Sequence, residues 1–134
     1  MAVIKLPETI SEITNGLNPA QLDELLAALT DEVMRLSKVV AGYEVAAKLS
    51  AGGYKKAQAK AALLLKGAAS PSIVKLMVEG NEDVIKALNT LEGDEALYLM
   101  GKAELEGRTA QYQAVKKLID LKVEEIRAFK AGHR

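Results

Sequence analysis

The sequence predicts an all-α fold, a helical bundle in one domain over residues 1–134 with a long C-terminal helix. Three observations lead there. Apolar residues recur at helical spacing behind a capping signal at Asn18-Pro19. The hydrophobic residues, 49% of the chain, include only four Tyr and one Phe, so Ala, Leu, Val and Ile must supply the core, a palette suited to closely packed helices. Near the C-terminus, Leu105, Tyr112, Ile119 and Ile126 repeat every seven residues.

Residues 1–17 carry Pro7, Asn15 and Gly16 without sustained periodicity and read as an irregular or weakly helical arm. The first strong helix opens at Asn18-Pro19, because Asn caps well, Pro suits the first helical position, and Asp23 and Glu24 lie near the positive end of the dipole. Leu22, Leu25, Leu26, Leu29, Val33, Leu36 and Val40 then mark one face. This helix is expected to run to about Ser50, where Gly52-Gly53 breaks, kinks or loosens it. A second helical stretch covers Tyr54 to Leu65, rich in Ala, Leu, Lys and Gln, and ends at Gly67 and Pro71. Short helices are expected at Ser72 to Val78 and Glu82 to Leu91, separated by Gly80-Asn81.

The last and longest helix is expected from about Asp94 to Lys130. Val115 and Phe129 fill two intermediate positions of its heptad pattern, whereas Arg108 and Lys122 interrupt it. Such a seam packs against helices, its own or a neighbour's.

No segment approaches the roughly 20 apolar residues that span a bilayer, and the start MAVIKLPETI lacks a signal-peptide pattern. The chain is therefore expected to be soluble and cytoplasmic, with no membrane role. It has no cysteine, and its one histidine, His133, lies beside the C-terminus, which argues against thiolate, histidine and metal chemistry. The acids Glu82-Asp83 and Glu92, Asp94 and Glu95 are placed near expected helix starts, where carboxylates favour the dipole. Gly52-Gly53-Tyr54-Lys55-Lys56 lacks the spacing of a phosphate loop, and no Ser or Thr has a credible base. These residues point to a protein that is not an enzyme and uses no cofactor.

A net charge of zero hides an alternation of blocks. Residues 1–34 carry one basic and six acidic side chains, and residues 35–66 carry seven and one. Residues 67–106 carry three and eight, and residues 107–134 carry seven and three. At about 100° per residue, Lys38, Lys48, Lys55, Lys56, Lys60 and Lys66 gather on one side of a continuous helix, opposite Leu36, Val40, Tyr43, Ala47, Tyr54 and Leu65. Such a lysine track neutralises phosphates without reading sequence. The same blocks would also serve a structural or scaffold protein, or a protein-binding adaptor without a DNA role, by ordering helices or subunits. Tyr43 and Tyr54 could stack on bases, but they project with the apolar residues and read as core.

Several stretches resemble the UvsY-type recombination mediators of T4-like phages: Leu36-Ser37-Lys38, the run from Tyr54 to Leu63, the run from Asn81 to Lys86, and the ending Arg127-Ala128-Phe129-Lys130-Ala131-Gly132. The resemblance spans most of the chain at low identity. It implies DNA recombination, repair and replication in the host-cell cytoplasm. The implied activity is binding of single-stranded DNA and loading of a phage recombinase onto strands covered by single-strand-binding protein. It further implies a homo-oligomeric ring, a hexamer or heptamer, joined through the C-terminal region. Leu105, Tyr112, Val115, Ile119, Ile126 and Phe129 are the corresponding candidates for subunit contacts, with packing inside the chain as the alternative. The family's DNA-binding motif, basic-Ala-basic-Leu behind two lysines, here reads Lys60-Ala61-Ala62-Leu63. Ala62 replaces its second basic residue, leaving Lys55, Lys56 and Lys66 as candidates to compensate.

Overall fold

The computed structural model describes residues 18–132, so the expected arm at 1–17 and His133 lie outside the described residues. These residues form three helices and no strand: α1 (Pro19–Leu64), α2 (Pro71–Glu79) and α3 (Glu82–Gly132). The all-α expectation holds, but with fewer and longer helices than the glycine positions suggest.

The helix boundaries have local causes. Asn18 and Gln21 bond reciprocally: the Gln21 amide donates to Asn18 Oδ1 at 2.9 Å, and the Asn18 amide donates to Gln21 Oε1 at 3.0 Å. This satisfies two backbone donors at the start of α1. At the other end, tightened turns lead into Gly67, whose φ of 81° lies in the left-handed region where a side chain is penalised. Pro71 then opens α2, and the Asn81 side chain caps α3 by accepting from the amides of Asp83 and Val84 at 2.9 and 3.2 Å.

Two expected boundaries are absent. Helix α1 continues through Gly52-Gly53, and α3 continues through Glu92-Gly93. Each interior glycine costs about 1 kcal/mol relative to Ala, and tertiary packing can offset that. Here Ser50 Oγ donates to Asp94 Oδ2, while Tyr54 packs into an apolar cluster on the other side of the glycine pair. Glu92, Asp94 and Glu95 therefore lie inside a helix and not at its start.

The chain divides into two compact units. Among the described residues, one comprises 18–38 with 103–132, and the other comprises 39–102. In the first, Leu22, Leu25, Leu29 and Val115 form the buried centre, with Leu26, Tyr112, Leu118 and Ile119 packed around it. Burial of these side chains against one another supplies the main stabilising term, at about 1.5–3 kcal/mol for a fully buried aliphatic side chain. A polar group lies in the same unit: Arg35 donates to Glu32 at 2.7 and 3.0 Å, and Arg108 donates to the buried Gln111 at 2.8 Å.

In the second unit, α1 and α3 run antiparallel. Val40 and Tyr43 meet Gly101, Ser50 meets Asp94, and Ala61 packs with Val84. Helix α2 closes the far end by placing Val74 and Val78 against the cluster of Ala61 and Val84, joined by Tyr54, Ala57, Ala62 and Leu65. Gly101 permits close helix contact. A Cβ there would sit 3.1 Å from a Tyr43 ring carbon and 3.2 Å from a Val40 methyl.

Candidate nucleic-acid interface

The lysines of the second unit stand on the outward side of α1. Lys48, Lys55, Lys56 and Lys60 are exposed, and Lys66 is exposed in the turns beyond the helix. At about 100° per residue the four helical lysines cover an arc of roughly 140°, centred opposite Tyr43, Tyr54 and Ala61. Lys38 is also exposed but belongs to the first unit. The core role expected for both tyrosines is met: Tyr43 covers Gly101, and Tyr54 packs with the Ala61 cluster.

Among the described residues, charge on this track is largely without ion pairs. Lys48 approaches Glu44 at 3.1 Å, one helical turn away, with the two side chains 75% and 46% exposed. Among the described residues, no carboxylate lies within ion-pair distance of Lys55, Lys56, Lys60 or Lys66. Solvent screens such groups from one another, and a polyanion would replace many small counterions at once.

Ala62 has a different setting from Lys60. It is half-buried and lines a groove with Gln58 and Ala59 of α1 and Pro71, Val74, Lys75, Val78 and Glu79 of α2. Position 62 thus belongs to the seat of α2, off the exposed track. Its small side chain is accounted for by packing.

The track is not purely cationic. Val45, Leu49, Leu63 and Leu64, between 57% and 77% exposed, alternate with the lysines. Only the Leu63-Leu64-Leu65 run and the phase of Val45 and Leu49 signal this in sequence, and the charge pattern masks both.

The residues of the C-terminal seam divide. Val115 is fully buried within its own chain, and Tyr112 and Ile119 pack around it, so these three serve the intramolecular core. Leu105 is half-buried, whereas Ile126 and Phe129 are 49% and 66% exposed. The heptad interruptions are placed too: Arg108 bonds Gln111, and Lys122 lines a groove with Pro19, Leu22 and Asp23.

Sequence inspection did not reveal the Glu32–Arg35–Arg108 group. The hydrogen bond from Arg35 holds the Glu32 carboxyl below its ordinary value of 4.5, with desolvation opposing and the charges of Arg35 and Arg108 assisting. Spacing of three residues could have suggested Glu32–Arg35, but nothing local indicated Arg108.

Among the described residues, no group of three or more His, Cys, Asp or Glu side chains is placed to hold a metal ion. No described helix is long and apolar enough to cross a membrane. No protein-family profile matches the chain, and neither a curated protein nor a solved structure shows significant similarity to it.

Proposed function

We propose that the chain is a non-enzymatic mediator that binds single-stranded DNA through the outward lysines of α1 and helps a recombinase replace single-strand-binding protein. One observation carries the DNA-binding part: Lys55, Lys56, Lys60 and Lys66 are exposed together with no carboxylate within ion-pair distance among the described residues. The recombinase part follows from the resemblance to UvsY-type mediators. A homo-oligomer, with Ile126 and Phe129 as its exposed seam residues, would present several tracks to one strand and convert weak contacts into avidity through effective concentration.

The test is fluorescence anisotropy of a labelled single-stranded oligonucleotide across a salt series. Each lysine contact to a single strand adds about 0.7 to the logarithmic salt slope. Replacing Lys55, Lys56 and Lys60 together by Ala should weaken binding and reduce the slope by about 2 per engaged protomer. Absence of wild-type binding at low salt refutes the function, whereas undiminished binding by the triple variant refutes the site.

A further inference from the structure

A groove of about 360 Å³ runs along one face of the second unit, lined by Glu44, Ala47, Lys48 and Ala51 of α1 and Glu95, Tyr98 and Leu99 of α3. Its floor is apolar and its edges are charged. Leu99 is 63% exposed, and the alanines leave room for close approach.

The charges have a particular order. Tyr43 lies level with Gly101, Ser50 with Asp94, and Ala61 with Val84, which fixes the relative heights of α1 and α3. Along α1 the groove edge reads Glu44 and Lys48, and exposed Lys55 follows two turns after Lys48 on the same side of the helix. Within about one turn of the same heights, α3 reads Lys102, Glu95, Glu92. Every level therefore pairs opposite signs, but no ion pair bridges the two helices there among the described residues. Lys48 pairs instead with Glu44 on its own helix.

We infer that this face is a self-association surface occupied by a second copy of the chain. A two-fold axis along the helix pair lays α1 of each copy over α3 of the other at equal height. Glu44 then faces Lys102, Lys48 faces Glu95, and Lys55 faces Glu92, each pairing occurring twice. Leu99 of each copy covers the small residues of the other, giving an antiparallel four-helix contact. Stacking α1 on α1 instead brings Lys48 and Lys55 against their own copies, which opposes association.

The available face, about 17 Å of helix by two helix widths, buries on the order of 700 Å² in total. That lies below the standard size of specific interfaces, so the contact is weak and, being held by exposed charge pairs, salt-sensitive. It is separate from the C-terminal seam but shares Lys48 and Lys55 with the proposed DNA track, so single-stranded DNA should compete with this association while Lys56, Lys60 and Lys66 stay open to the strand.

Charge exchange tests it in the full-length protein by sedimentation velocity at low and high salt. Lys48→Glu with Lys55→Glu should weaken association at least tenfold, as should Glu92→Lys with Glu95→Lys, while circular dichroism confirms retained helix. Mixing these two double variants should restore association, because each then supplies what the other lacks. The quadruple variant should associate with itself as the wild type does. Double variants that associate unchanged, or a mixture and quadruple variant that fail to recover, overturn the proposal.

Discussion

Replacing Gly52 and Gly53 by Ala should stabilise the protein, although the pair resembles a helix breaker in the sequence. In the structure α1 is continuous there, and a Cβ at either position meets nothing within 4 Å. Each substitution therefore gains the helix propensity of Ala, about 1 kcal/mol, without a packing penalty. Together they should raise stability by about 2 kcal/mol, or roughly 5–10 °C in Tm for a chain of this size. Gly101→Ala provides the internal contrast. The same propensity gain is opposed by contacts of 3.1 and 3.2 Å to Tyr43 and Val40, so the change should be neutral or destabilising. Thermal and urea unfolding followed by far-ultraviolet circular dichroism measures both at fixed protein concentration. Destabilisation by Gly52→Ala and Gly53→Ala would refute a continuous, unstrained helix. Equal gains at all three positions would refute the close helix contact at Gly101.

Three other expectations follow from the packing and charge. Val115→Ala should cost about 2–3 kcal/mol in urea unfolding because it empties the fully buried centre of the first unit, and a loss below about 1 kcal/mol would contradict that burial. Ala62→Arg should lower stability by about 1–2 kcal/mol in the same assay by overfilling the seat of α2, and improved DNA binding with no such loss would contradict that placement. The lowered Glu32 pKa contributes stability that is complete above the ordinary value of 4.5 and is lost as pH falls through the lower folded value. Glu32→Gln should therefore flatten the acid limb of a stability-against-pH curve, and an unchanged limb would remove this group as its source.

Much of the helical architecture is legible because its signals are local. Asn18 and Asn81 announce helix starts, Gly67 and Pro71 announce a break, and Leu22, Leu25 and Leu29 fall on one face. The continuity of α1 and α3 is less legible. Gly52-Gly53 and Gly93 weaken a helix in isolation, while the Ser50–Asp94 bond and the Tyr54 packing join residues distant in sequence. At the candidate site, wheel geometry correctly separates the lysines from Tyr43 and Tyr54. It cannot show that α2 settles over Ala62, because that requires the turn at Gly67 to fold the chain back. Heptad spacing likewise finds Val115 but cannot choose between a partner chain and Leu22, Leu25 and Leu29; in the described fold Val115 packs with those three leucines.

The contact at Gly101 also sets what this fold tolerates under mutational drift. Positions 42, 52, 53, 93 and 107 lie where added methyl groups have open space, so sequence change can accumulate there at little cost. Position 101 admits almost no growth unless Val40 or Tyr43 shrinks with it. Chains descended from a common ancestor could lose overall identity yet preserve that compensating trio, giving a signature of kinship that pairwise identity would overlook.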